Sequence, residues 1–301
     1  MVDKSFSIIE MFLSTKRKNT YRSYLTAFEQ LIRFVKKDIT KINELDVMKY
    51  FHSLRQTKLV NGDQISDSTI RLRYYALSSI YEYLQDMYII KRNPMLGVKH
   101  TFNKNIFKQK RPTKWFTPCQ VKQLFKLPDS SKKGIRDKAI LALLFGAGLR
   151  RSELLALNID SIRIINEFMY VYLGDTKAGE PQTRSLAKFA QKFVSAYVVQ
   201  RKHDGADLND PLFVFYYNNG SVRGRMDERT LARRFAWYTK QIGVKAAPHS
   251  ARATFATQLK QLGYHDRDVA EALGHTSEHM VRVYDKRNKV FRDDVAGKLK
   301  Y

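Results

Sequence analysis

One cysteine in 301 residues, Cys119, leaves no partner for an intrachain disulfide and no cysteine cluster for a metal, which suits a reducing compartment. Long apolar runs are missing too. The longest, such as Ala139 to Gly148, fall well short of a bilayer span, and no signal peptide opens the chain. Disulfide-stapled scaffolds and membrane-spanning proteins are thereby excluded, and a cytoplasmic location is expected. Acidic residues are scarce, 29 against 54 lysines and arginines, for a formal charge of +25. What is present is enough to fold: a hydrophobic fraction of 44% is ordinary for a globular protein.

Such a charge repels itself in the compact state unless a polyanion screens it. A nucleic acid backbone does so, with counterion release adding to affinity. Residues 1–110 carry 20 basic and 10 acidic side chains and residues 111–301 carry 34 and 19, so both halves are positive. Between them, Lys99 to Lys114 holds six basic residues and no acidic one. With Pro112 and no sustained apolar repeat, it reads as an extended linker, 99–114, tracking phosphates through Lys104, Lys108, Lys110 and Arg111. A helical connector is the alternative. Domains at 1–98 and 115–301 follow, each of ordinary size. Composition alone also admits a basic protein charged for solubility or ribosome association.

The first half is helical by pattern. Tyr21, Leu25, Phe28, Leu31, Ile32 and Val35 recur at three- and four-residue steps, with Asn19 or Thr20 as the cap. Ile42, Leu45, Val47, Tyr50 and Leu54 predict a second helix. Ile70 to Leu84 forms a long stripe that ends before Asn93-Pro94. Arg71 and Arg73 lie off that stripe and face a groove, as DNA-binding candidates, or else form a solvated basic face. The second half is mixed. A helix opens at Thr117-Pro118 with Gln120 closing a capping box, and an apolar helix spans Ile135 to Phe145. Phe168 to Leu173 reads as a strand, with Gln182 to Leu186 as the weaker arm of a hairpin. Helices are expected around Phe193 and from Met226 to Ile242, and a short aromatic strand at Pro211 to Tyr217. The fold class is multidomain: an all-helical N-terminal domain plus a mixed, mainly helical one with a small antiparallel sheet.

Three segments of the second half carry chemistry: GAGLRRSELLAL (Gly146 to Leu157), PHSARATFAT (Pro248 to Thr257) and LGHTSEHMVRVY (Leu273 to Tyr284). A phosphodiester is anionic, so a nucleophile is repelled until that charge is offset. Arginine's planar fork matches the non-bridging oxygens and stays charged at any physiological pH. Two forks from different segments gain strength as charge gathers at phosphorus. Arg150 leaves a Gly-Leu turn at a helix start, with Glu153 three residues on to orient it or pair a neighbouring base. His249 and Arg252 share one side of the helix that Pro248 introduces. Phe255, Ala256, Leu259 and Leu262 continue that side into the core, which sets the polar pair at the wall of a cleft. Gly274-His275 forms a turn, and Tyr284 lies nine residues on in the next helix. Taken singly, each is as easily a solvated cap or a structural histidine; together they can hold a phosphodiester and attack it with a phenol.

These segments resemble the tyrosine recombinases, or phage integrase family, in GLRRSE (Gly148 to Glu153), HSAR (His249 to Arg252), LGH (Leu273 to His275) and Tyr284. The resemblance implies that Arg150 and Arg252 clamp the phosphate, that Tyr284 is the nucleophile, and that His249 and His275 fill the remaining active-site positions. It also implies that Lys177, in GDTKAG at the hairpin turn, protonates the departing 5′ oxygen, although Lys188 and Lys192 are close by. Ala253 departs from the family, which often has histidine there, and a packing effect alone is expected. The implied reaction forms a 3′-phosphotyrosyl linkage and a free 5′-hydroxyl, with no nucleotide cofactor and no metal. The implied partners are double-stranded DNA carrying a specific site and three further copies of the chain in a synaptic tetramer, with an accessory protein also admitted. Location on the nucleoid follows from DNA binding.

Two rivals stand beside this reading: a type IB topoisomerase, which relaxes DNA as a monomer, and a catalytically silent architectural protein. The separate basic helical domain and the LGH-to-tyrosine arrangement favour the recombinase. Little chain precedes residue 15, which sets the expectation of a simple Xer- or Cre-like organisation without an arm-binding domain. The tail after Tyr284 has Val290, Phe291, Val295 and Leu299 at roughly helical spacing, to dock on a neighbour or on its own domain.

Overall fold

The computed structural model describes residues 2–58, 62–98, 113–174 and 182–274, with backbone alone for 2–6. The chain divides into two compact units, residues 1–111 and 112–301.

The first unit consists of helices α1 (Val2–Ser14), α2 (Lys18–Val35), α3 (Glu44–Gln56) and α4 (Asp67–Asp86). Apolar residues at helical spacing give each helix one face to bury, worth about 1.5–3 kcal/mol per large side chain. Those faces meet in one core that includes Leu13, Phe28, Leu31, Tyr50, Phe51, Leu77, Ile80, Tyr81 and Leu84. Asn43 and Asp46 form a reciprocal capping box that starts α3, and the Ser66 hydroxyl accepts from the Thr69 amide to start α4. Three expectations change. Helix α2 begins two or three residues earlier than Asn19 or Thr20 would set, with Arg17 at the cap and no side-chain cap bond. Leu45 points outward, 58% exposed, because the core face of α3 runs through Val47, Tyr50, Phe51 and Leu54 instead. Helix α1, whose pattern is short, was not anticipated.

In the second unit, α5 (Pro118–Lys126) starts with the expected Thr117–Gln120 capping box. It is followed by α6 (Lys132–Gly146), α7 (Arg151–Ala156), strands β1 (Ile162–Ile165), β2 (Phe168–Leu173) and β3 (Gln182–Ser185), and α8 (Lys188–His203). Then come β4 (Val214–Tyr216), β5 (Val222–Arg225), α9 (Glu228–Gln241), α10 (His249–Gln261) and α11 (Asp266–Leu273). Helix α6 is buried over most of its length, which accounts for its continuous apolar run. It packs against α8 and α10 in the main core. Strands β1, β2 and β3 form an antiparallel sheet in that order, and β4 pairs with β5. The weak second arm of the hairpin is real: β3 pairs with β2 in a register that sets Arg184 opposite Val171. Strands β1 and β5 were not foreseen, since Ile162–Ile165 and Val222–Arg225 are largely exposed and show little inward alternation.

Helices α10 and α11 pack through Ala253, Ala256, Val269, Ala270 and Leu273, joined by the partly buried Phe255 and Leu259. Ala253 is buried here, in the packing role anticipated for it. Leu262 does not continue the stripe. It caps the C-terminus of α10 and is 72% exposed, because the helix has already ended. No described helix is long and apolar enough to cross a membrane.

Candidate active site

The turn between α6 and α7 requires Gly148. Its φ of +59° is left-handed, and a Cβ there would lie 2.6 Å from the Phe255 ring. Leu149 is buried behind it, and Arg150 follows as the N-cap of α7. The Arg150 amide donates to Glu153 Oε2 at 2.7 Å, while its Nη1 donates to Glu153 Oε1. The carboxylate therefore occupies the helix start and orients the guanidinium with charge-assisted bonds. Glu153 Oε2 also lies 3.7 Å from Arg252 Nη1. One acid thus serves both arginines, so the two pairings read from sequence as alternatives coexist.

Arg252 does not line an open wall as expected. It is 1% exposed and the largest fully buried side chain among the described residues. It sits one turn into α10 with its guanidinium inside the unit. Nη1 donates to the Gly148 carbonyl at 2.5 Å and Nη2 to the Leu273 carbonyl at 2.6 Å. The Gly-Leu-Arg turn, the His-x-x-Arg helix and the end of α11 are joined through this one side chain. His249, at the first residue of α10, is exposed, yet protein crowds its ring on one side. That partial burial first, then the positive fields of Arg252 and Arg150, hold its pKa below the ordinary value. At neutral pH its imidazole is uncharged and able to accept a proton.

A third guanidinium, unforeseen in the sequence, belongs to this cluster. Arg184, 4% exposed on β3, donates from Nη2 to the Leu273 carbonyl at 2.9 Å and to Gln182 Oε1 at 2.7 Å. Burial lowers its pKa, Glu153 raises it and Arg150 lowers it, so all three side chains share one electrostatic environment. Its position opposite Val171, on the inward face of the strand, was the available signal. That signal needs the pairing register, which a four-residue polar segment does not supply alone.

Arg150, His249 and Arg252 are therefore brought together. Lys177, His275 and Tyr284 lie outside the described residues, as do Lys104, Lys108, Lys110, Arg111 and the tail. Arg71 and Arg73, on α4, are half-buried rather than fully presented, each with one guanidinium nitrogen inside the unit. Among the described residues no three His, Cys, Asp or Glu side chains gather as metal ligands.

Residues 114–290 match the phage integrase family and residues 7–90 match the N-terminal SAM-like domain of phage integrases. The chain belongs to the phage integrase family. Tyrosine recombinase XerC of Thermodesulfovibrio yellowstonii is 27% identical over 293 residues, covering 92% of each chain. Tyrosine recombinase XerA of Pyrococcus horikoshii is 30% identical over 173 residues, 58% of this chain and 56% of the relative. Among solved structures, XerH site-specific recombinase bound to palindromic difH substrate, in a post-cleavage complex, superposes with a TM-score of 0.69. The identity is 19%, over 92% of this chain and 79% of that one. The Tn1549 transposon integrase in complex with transposon right end DNA gives 0.67 at 18% identity, over 95% and 96%.

Proposed function

We propose that the chain is a site-specific DNA recombinase that cleaves and rejoins strands through a 3′-phosphotyrosyl intermediate. The observation that carries this reading is the pair of the half-buried Arg150 and the buried Arg252, held by the single carboxylate of Glu153 beside a neutral His249. Positive charge in excess inside a protein is costly unless an anion completes it. A scissile phosphate is such an anion, and it gains charge as it becomes pentacoordinate.

The Tyr284 hydroxyl attacks the phosphorus and the bond to the 5′ oxygen breaks. A histidine, His249 or His275, takes the phenolic proton, and Lys177 protonates the leaving oxygen. The ester retains the energy of the broken bond, so a 5′-hydroxyl from a partner strand reverses the step without nucleotide or metal. The DNA would be gripped by residues 1–98, including Arg71 and Arg73. Residues 99–114 would follow the phosphates through Lys104, Lys108, Lys110 and Arg111, and residues 115–301 would carry the chemistry. Four protomers would assemble on two sites, on the nucleoid when bound, with room for an accessory protein.

Covalent trapping on a library of nicked duplexes tests this. A protease-sensitive 3′ adduct is expected with the wild type and not with Tyr284→Phe, and sequencing the trapped DNA identifies the site. Relaxation of site-free plasmid by the monomer would instead indicate a topoisomerase. Tight DNA binding with no adduct on any library member would indicate a silent architectural protein.

A further inference from the structure

Leu273 ends α11, so its carbonyl has no partner within the helix and lies at the negative pole of the helix dipole. One guanidinium, that of Arg252, already satisfies it at 2.6 Å. Arg184 nevertheless donates to the same oxygen at 2.9 Å, so that oxygen accepts two guanidinium bonds. Capping alone does not account for a second buried cation there. An apolar side chain would fill this inward position opposite Val171 without the cost of desolvating a charge. The Arg184 Nη1 adds only a long bond, 3.4 Å, to the Glu271 carbonyl, and its Nε is buried with no hydrogen-bond partner among the described residues. It is seated directly over Gly274, where φ is +58° and a Cβ would meet Arg184 Nη2 at 1.8 Å and Gln182 Oε1 at 2.3 Å. Arg184 thus fastens the three-stranded sheet to the carbonyl that anchors Arg252.

We propose that Arg184 is a positioning residue for the cleavage step: by pinning the Leu273 carbonyl it fixes the plane in which the Arg252 guanidinium meets the scissile phosphate. The proposal rests on the recombinase reading. Arg252 bonds Gly148 and Leu273 through its two Nη atoms, so a shift of the Leu273 carbonyl rotates the fork. A fork out of plane still attracts DNA, but it no longer matches the charge that develops on the non-bridging oxygens.

The test uses the full chain and the site recovered by trapping, in single-turnover cleavage of nicked duplexes. One duplex carries the native scissile phosphodiester; the other carries an uncharged methylphosphonate at that position. Arg184→Met is expected to slow cleavage of the phosphodiester about 100-fold, with DNA affinity within about twofold of wild type. On the methylphosphonate, which has no charge for Arg252 to offset, the deficit relative to wild type should shrink to a few-fold. Arg184→Lys should recover part of the phosphodiester rate. Because Arg184→Met could disturb the fold, Gly274→Ala provides a second route, pushing the head group off the carbonyl while leaving Arg184 in the chain. It should reproduce the same substrate-dependent loss, and combining it with Arg184→Met should cost less than the product of the two. Equal losses on both duplexes, or no loss on either, would overturn the positioning role. A wild type that forms no Tyr284-dependent adduct would remove the recombinase reading itself, and the proposal with it.

Discussion

The two units of this chain bury different kinds of side chain. In the N-terminal unit the buried polar residues among those described are Ser78 and Asn93, and its core is aliphatic and aromatic. Even its polar atoms give way to packing: burial pushes the Tyr50 hydroxyl up to about 12. The C-terminal unit instead buries Arg136, Asp137, Arg184, Arg201, Arg252 and Lys260. These charges fall into two groups. Asp137 accepts from Arg136 at 2.7 Å, from Arg234 at 2.5 Å and from the Tyr238 hydroxyl at 2.9 Å. Lys260 pairs with Asp266 at 2.6 Å. Arg201 has Asp204 at 3.7 Å. In each of these groups every buried cation has its own acid, because Arg234, the second guanidinium on Asp137, is 37% exposed and keeps contact with water. Around Glu153, by contrast, Arg150 and the buried Arg252 share one carboxylate, and the buried Arg184 sits in the same electrostatic field without an acid of its own. On the recombinase reading, the candidate site is set apart not by burial of charge as such but by the imbalance of buried charge.

The contrast can be broken most strongly at Asp137. Asp137→Ala leaves Arg136 and Arg234 without their acid and should cost about 3–5 kcal/mol of stability in the C-terminal unit. Both tryptophans, Trp115 and Trp237, lie in that unit, so urea unfolding followed by tryptophan fluorescence should shift while the helical signal of the first unit does not follow it. Coincident shifts in both would mean that the units unfold as one. Arg252→Ala removes charge from the unbalanced cluster and should sharpen the distinction from the other side. Cleavage is expected to fall by about 10²–10³-fold, with a smaller loss of stability than Asp137→Ala, because the variant also relieves repulsion between guanidiniums. A thermal midpoint that falls further than that of Asp137→Ala would place Arg252 with the structural charges.

The smallest effect is a pH dependence. His249 has a lowered pKa when folded, while an unfolded histidine titrates near about 6.5. Between those values the unfolded chain binds the extra proton, so its stability contribution is complete above about pH 6.5 and is lost as the pH falls towards the folded pKa. The proton-accepting form is retained over the same window. His249→Gln should flatten the stability profile there; an unchanged profile would mean that neither burial nor the neighbouring arginines act on the ring.

Much of this was legible in the sequence because it rests on local signals. The stripe of α4, the Thr117–Gln120 box and the strand at Phe168–Leu173 each carry their own period or cap. Arg150, His249 and Arg252 could be grouped because their motifs specify turns and helix starts. What escaped depends on distant pairing. The depth of Arg252 is set by Gly148 and Leu273, more than a hundred and some twenty residues away in the chain. Arg184 enters the cluster only once β3 is registered on β2, and the exposed strands β1 and β5 have no buried face to announce them.

The shared carboxylate of Glu153 has a thermodynamic consequence. A cluster with more cations than anions is a reservoir of unfavourable self-energy that any small oxyanion can discharge. The stability of the C-terminal unit is therefore linked to the chemical potential of phosphate or sulfate in the medium, rising with the logarithm of anion activity once the site begins to fill. The one-to-one pair of Lys260 and Asp266 feels no such linkage, and around Asp137 the surplus cation, Arg234, is already partly solvated. The protein stripped of polyanions is, on this account, its least stable form, and binding its target would tighten the unit that acts on it.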